Sequence, residues 1–278
     1  MPRCHLLFYL LSSFLLLAGC VGQQPLSMKE LAALAASESV VMHSWPAGQF
    51  TLIVLLPRTP ADSVLRVYVE GDGGAWKNRY WLSADPTPAH GVALQLMMAD
   101  PARDKAYLAR PCQYLQTESC EKRYWSSHRF SPEVLESMDI ALDQMKQEGG
   151  YNQLELVGYS GGGAVAALLA AHRSDISGLR TVAGNLDPFW LNTYHRVAQL
   201  SGSLNPADYA DLLDSIPQLH FIGANDRIVP EGVYYSYVSH FKNNRCLKAS
   251  IITNADHHHN WIEQWPLLLQ QSLECSEN

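Results

Sequence analysis

The sequence predicts an α/β fold: a mostly parallel central sheet of about eight strands, helices on both faces and a small cap. Three observations predict it. Apolar, β-rich runs alternate with helical patterns through most of the chain, which implies parallel pairing through crossover helices. A buried strand pattern, Leu154-Glu155-Leu156-Val157, runs into Gly158-Tyr159-Ser160-Gly161-Gly162 and then into an alanine-rich helix. A segment at 185–216 separates two later strand patterns and is too long for a simple connection.

The strand patterns fall at 40–45, 50–56, 64–70, 106–110, 154–157, 179–183, 219–222 and 249–253. Helical patterns fall at 89–99, 132–148, 162–172, 230–241 and 261–273. The first two strands have no helix between them, so they can form an antiparallel hairpin. The long helix has clear ends: Ser131 at the N-cap and Pro132 at the first position, then Gly149-Gly150 as a stop. Residues 20–39 read as a tether with a short amphipathic start, and 40–278 as one domain. Within it, 185–216 carries Trp190, Tyr194 and a short helix at 206–213, and reads as a cap over the site. Neither an internal repeat nor a low-complexity stretch is present.

A length of 278 residues suits a single α/β domain, and 47% hydrophobic content fills a sizeable core. Charged residues make up 17% and the formal net charge is −7, without a basic cluster, so no nucleic-acid partner is expected.

Residues 1–19 read as a targeting segment. Arg3 supplies positive charge, and Leu6 to Leu17 is largely apolar but too short to span a bilayer. Leu17-Ala18-Gly19-Cys20 resembles a bacterial lipobox. That resemblance implies a lipidated Cys20, hence a membrane partner through an N-terminal lipid anchor. Val21 after the cysteine, by the same resemblance, implies the outer membrane, with the domain expected to face the periplasm. Six cysteines are present; Cys4 lies in the signal segment and Cys20 in the lipobox. The remaining Cys112, Cys120, Cys246 and Cys275 are expected to form two disulfides, Cys112–Cys120 and Cys246–Cys275, in an exported chain.

The G-x-S-x-G turn between strand and helix is the context a nucleophilic serine requires. Ser160 must project from a sharp turn, so Gly158 and Gly162 let strand and helix pass closely, and the Gly161 N–H opens a helix N-terminus. A serine hydroxyl needs a base, and the base an orienting acid. Asp226 follows the strand pattern at 219–222, and His257 follows the one at 249–253. Asp187, after the strand pattern at 179–183, is the competing acid. His258 and His259 compete with His257 as the base. Three adjacent histidines in an extended loop diverge and converge poorly on one ion, so no metal is expected.

A second oxyanion donor is expected from Val69-Glu70-Gly71-Asp72-Gly73-Gly74, through the N–H of Asp72 or else Gly73, beside that of Gly161. A dinucleotide fingerprint from Gly71 would need glycine where Trp76 stands, and no G-K-[ST] follows Gly158. No cofactor is therefore expected.

The chain resembles the α/β-hydrolase superfamily over roughly residues 40–275. More narrowly it resembles uncharacterised bacterial α/β-hydrolase lipoproteins, through Tyr68-Val69-Glu70-Gly71-Asp72-Gly73, Ala109-Arg110-Pro111-Cys112-Gln113-Tyr114 and Arg129-Phe130-Ser131-Pro132-Glu133-Val134. The Ser160 turn, Ala183-Gly184-Asn185-Leu186-Asp187, and Asp256-His257 followed by Trp261 complete the resemblance. It implies the α/β-hydrolase fold, the order Ser160, Asp226, His257, and His257 as base. The chain departs from the group in placing His258 and His259 after His257. The implied activity is that of an envelope serine hydrolase cleaving an ester, thioester or amide of a small-molecule or lipid acyl substrate. Trp76, Trp81 and Trp190 suggest an uncharged, partly apolar acyl group. A rival class is a non-catalytic envelope lipoprotein using the same fold for binding.

Overall fold

The computed structural model describes residues 25–276. The signal segment and the candidate lipidation residue Cys20 lie outside the described residues. The strands are β1 (Val40–Ala47), β2 (Phe50–Pro57), β3 (Val64–Val69), β4 (Trp76–Asn78), β5 (Trp81–Leu82), β6 (Lys105–Leu108), β7 (Gln153–Tyr159), β8 (Ile176–Val182), β9 (Gln218–Gly223) and β10 (Leu247–Ile252). The helices are α1 (Met28–Ser37), α2 (Val92–Ala99), α3 (Pro132–Gly149), α4 (Gly161–His172), α5 (Pro188–His195), α6 (Ala210–Leu213), α7 (Gly232–Val238) and α8 (Trp265–Leu268).

Eight strands form one sheet in the order β1-β2-β6-β3-β7-β8-β9-β10, and β4 and β5 form a separate ribbon. The β1–β2 hairpin turns on Gly48-Gln49, between paired Ala47 and Phe50. β2 alone runs against its neighbours on both sides. From β6 onward every pairing is parallel, because helices carry each crossover. The carboxyl ends of β3, β7, β9 and β10 therefore open on one edge, where such sheets place their sites.

Alternation along the strands divides the core into two layers. Leu52, Val54 and Leu56 of β2, with Leu65, Val67 and Val69 of β3, join Val134, Met138 and Met145 of α3 and the buried alanines of α4. Ile53 and Leu55, with Tyr68, Val157 and Phe221, join Leu31 of α1, Leu96 and Met97 of α2, and Trp265 of α8 on the other face. Helices thus cover both faces, as the sequence predicts. Cysteines pair Cys112–Cys120 and Cys246–Cys275.

Three elements differ from the sequence reading. Residues 28–37, assigned to the tether, form α1, held by a capping box in which Ser27 and Glu30 satisfy each other's backbone N–H groups. Leu31 and Ala35 are buried against the sheet, so the folded unit begins before residue 40. The helical pattern at 261–273 yields only α8, because Pro266 lacks an N–H and fits only a first turn. The cap segment 185–216 packs sideways: Leu191, Ala207 and Leu213 join the α4 layer of the core.

Candidate active site

Ser160 sits between β7 and α4 with φ +52° and ψ −120°, a strained conformation that turns its side chain out of the sheet. The turn closes only because its flanks lack side chains. A Cβ on Gly158 would lie 2.4 Å from the Gly162 carbonyl oxygen, and one on Gly162 would lie 2.3 Å from the Val69 carbonyl oxygen. Both obstacles are backbone and cannot swing away.

The loop after β9 brings in Asp226, and the loop after β10 brings in His257. His257 Nε2 lies 3.0 Å from Ser160 Oγ, and His257 Nδ1 lies 2.8 Å from Asp226 Oδ2. Asp226 Oδ1 accepts the N–H groups of Ile228 and Val229, each at 2.8 Å, which fixes the carboxylate plane. An ionised carboxylate only accepts, so His257 carries its proton on Nδ1 and presents a lone pair from Nε2 to Ser160. Asp226 and His257 are each 5% exposed, so water competes little for these bonds.

The alternative acid is engaged elsewhere. Asp187 caps α5: Oδ1 accepts from Trp190 N–H at 3.0 Å and Oδ2 from Ser236 Oγ at 2.6 Å. The alternative bases also have other partners. His259 Nδ1 lies 3.0 Å from Asp256, on the surface. His258 Nδ1 lies 3.0 Å from Tyr159 Oη, which donates to the His257 carbonyl at 2.9 Å. Among the described residues, no group of three or more His, Cys, Asp or Glu side chains is arranged to hold a metal ion.

The loop after β3 forms the opposite wall. Buried Glu70 accepts from Gly71 N–H at 2.9 Å and from Tyr107 Oη at 3.1 Å, and burial raises its pKa above the usual carboxylate value. Gln113 donates to the Gly71 carbonyl at 2.9 Å, and Gly74 N–H donates to Pro86 O at 2.9 Å. Asp72 brings its carboxylate to the turn: a Cβ on Gly161 would lie 2.1 Å from Asp72 Oδ1. That carboxylate faces two guanidinium groups, Arg110 Nη1 at 3.5 Å and Arg129 Nη1 at 3.2 Å. Burial draws Arg110 down to about 10, still cationic at neutral pH.

Ser160 and His257 open into a pocket of about 550 Å³, whose walls include Asp72, Trp76, His90, Arg129, Ile228 and His258. No residue of the 185–216 segment lines it. The expected cap is thus displaced by the loops on either side of the β4–β5 ribbon, and of the tryptophans only Trp76 reaches the pocket.

A family model described as serine hydrolase (FSH1) matches residues 93–259, over half of the chain. The chain belongs to this serine hydrolase family. The matched span contains Ser160, Asp226 and His257. Solved structures with the same fold as this serine hydrolase include a Klebsiella pneumoniae protein provisionally named a dienelactone hydrolase, at 18% identity and TM-score 0.58, covering 83% of this chain and 95% of that one. A Pyrococcus furiosus esterase matches at 12% identity and TM-score 0.58 over 84% and 92% of the two chains. An acylaminoacyl peptidase from Pyrococcus horikoshii matches at 11% identity and TM-score 0.57, over 83% of this chain and 40% of that one. A search of curated proteins returned no significant match. At these identities the structural neighbours establish the α/β-hydrolase fold, and the family establishes a serine hydrolase.

Sequence reasoning gave no role to Arg129, Tyr159 or Glu70. Arg129 and Glu70 stand in motifs that carry the resemblance, but only folding brings them, from distant positions, to one pocket.

Proposed function

We propose that this serine hydrolase cleaves an acyl ester, thioester or amide through an acyl-enzyme, with Ser160 as nucleophile, His257 as base and Asp226 as orienting acid. The supporting observation is the continuous relay Asp226–His257–Ser160, at 2.8 and 3.0 Å. Ser160 Oγ attacks the acyl carbon while His257 Nε2 takes its proton. The bond to the leaving group then breaks, and His257 returns the proton to the departing oxygen, sulfur or nitrogen. Water, deprotonated by the same nitrogen, attacks the acyl carbon and frees Ser160. The carbonyl oxygen's developing charge falls to the Gly161 N–H at the start of α4, joined by that of Asp72 or Gly73. Gly71 and Gly74 use their N–H groups within the protein, so this loop has those two to offer.

The same proposal places the enzyme in the bacterial envelope, lipid-anchored through Cys20, with the domain facing the periplasm. Leu17-Ala18-Gly19-Cys20 supports this reading, and two disulfides suit an oxidising compartment. Palmitate labelling of the full chain, lost in Cys20→Ser, tests the anchor; unlabelled wild-type protein would rule it out.

A fluorophosphonate probe on the domain from residue 21 onward, read by mass spectrometry, tests the triad. One adduct per chain on Ser160, absent in His257→Ala, is expected. A folded protein that takes no label would point instead to a binding protein on the same fold.

A further inference from the structure

The wall facing Ser160 gathers two guanidinium groups around one carboxylate. Asp72 is shared by Arg110 and Arg129, and neither guanidinium makes a two-pronged pair with it. Arg110 turns another nitrogen to the Arg129 carbonyl oxygen. The Nε atoms of both arginines are buried and have no hydrogen-bond partner. These guanidinium groups have their hydrogen bonds incompletely made, and the Arg129 side chain, 14% exposed, can still meet an acceptor through its other nitrogens. The other lining acid, Glu70, accepts from Gly71 N–H, Ala93 N–H and Tyr107 Oη and forms no ion pair with either arginine among the described residues. The remaining titratable groups on the wall are His90, Tyr159, His257, His258 and His259; burial raises the Tyr159 pKa, so its phenol stays neutral, and none of the five adds negative charge. Of the two arginines, Arg129 lines the pocket and Arg110 stands behind. The Asp72 carboxylate that Arg129 touches also abuts Gly161, so Arg129 lies one carboxylate away from the residue after the nucleophile.

We propose that Arg129 forms an anion-recognition subsite, and that the substrate is an ester, thioester or amide carrying a carboxylate a short linker away from the scissile carbonyl. This rests on the triad reading above. It departs from the uncharged acyl group that the tryptophans suggest. Arg110 holds the Arg129 main chain and shares Asp72, leaving Arg129 charge to spare for a ligand. A planar guanidinium suits a carboxylate better than an ammonium does, because two parallel N–H groups match its two oxygens.

The test compares two esters of equal chain length, 4-nitrophenyl hexanoate and mono-4-nitrophenyl adipate. They differ only in whether the far end is methyl or carboxylate. The wild-type enzyme is expected to favour the adipate ester at least tenfold in kcat/KM, the scale of one charge-assisted hydrogen bond. In Arg129→Met that ratio should fall to about one, while Arg129→Lys should retain part of it. If Arg129 served only to neutralise Asp72, the substitution would slow both esters alike and leave the ratio unchanged, which overturns the subsite. A wild-type ratio near one also overturns it. Turnover of neither ester would instead sink the triad reading, and the subsite with it. A second measurement needs no variant: adipate should protect Ser160 from a neutral fluorophosphonate probe, whereas the uncharged diamide should not. Equal protection, or none by adipate, contradicts the proposal.

Discussion

The Tyr159 hydroxyl has one proton and two partners. Its bond to the His257 carbonyl must use that proton, because a carbonyl only accepts. His258 Nδ1 must then be the donor to the same oxygen, which fixes the His258 tautomer and leaves its Nε2 unprotonated. His258 thus braces the loop that carries His257, a role distinct from proton transfer. Replacing His257 with Ala should cost about 10⁴-fold or more in kcat, the scale for losing a triad member. His258→Ala and Tyr159→Phe each remove about one hydrogen bond's worth of positioning and should cost roughly fivefold to tenfold. His259→Ala, whose ring bonds to Asp256 and stands edge-on to His258 at the pocket rim, should be near neutral. Steady-state kinetics of the four variants checks the order; equal modest losses from all three histidine variants would mean the base is misassigned. The sequence puts three histidines in a row, and spacing alone cannot rank them. The ranking depends on which ring the β10 loop aims at Ser160, and Tyr159 takes part in setting that aim.

At the level of elements, two kinds of support surround the nucleophile, and they should fail differently. The turn from β7 to α4 is rigid because backbone meets backbone at Gly158 and Gly162. Gly162→Ala would drive a methyl into the Val69 and Glu70 carbonyl oxygens, at 2.3 and 2.5 Å, and should destabilise by about 1–3 kcal/mol or more. Denaturant titration would show it. The two disulfides separate stability from activity. Cys246–Cys275 closes a sequence separation of 29 and ties the tail to β10 at the sheet edge, away from the pocket. Loop-closure entropy makes it worth roughly 3–4 kcal/mol. Cys112–Cys120 instead pins the loop bearing Arg110 and Gln113, in which Cys112 and Tyr114 both have positive φ. Its loss should relax that strain, release Gln113 from the Gly71 carbonyl and slow the enzyme. The double variant Cys246→Ser/Cys275→Ser should therefore melt earlier with kcat within about twofold, whereas Cys112→Ser/Cys120→Ser should lose activity well below its melting temperature. The strand–turn–helix unit was legible because its glycines, its strand and its alanine-rich helix are contiguous. The roof of the pocket was not, because the 185–216 segment carries the aromatic look of a cap yet buries Leu191 and Leu213 beside α4.

The whole molecule carries a histidine where a charge cannot be accommodated. His220 stands in β9, 1% exposed; Nδ1 lies 2.8 Å from Thr181 Oγ1, and Nε2 has no partner. Burial draws its pKa from 6.5 to about 3. In the unfolded chain the same ring protonates near 6.5, so below that pH the unfolded state binds a proton the folded state refuses. The stability it confers is complete above pH 6.5 and is lost as pH falls toward 3, at about 1 kcal/mol per pH unit. Half-exposed His258, whose pKa is lowered too, acts in the same direction but is screened by solvent. Asp175, held down to about 2 because Arg173 and Lys146 outweigh its burial, loses its contribution only below its ordinary value of 3.8. Buried Glu70, whose pKa is raised, acts in the opposite sense as pH falls, so the difference between wild type and a His220 variant isolates the histidine. Urea unfolding between about pH 6.5 and 4 should show the wild type losing stability relative to a His220 variant as pH falls. His220→Gln keeps a polar partner for Thr181 without a titrating ring, and its curve should diverge from that of the wild type there; parallel curves for the two proteins would show that the buried ring does not govern acid stability.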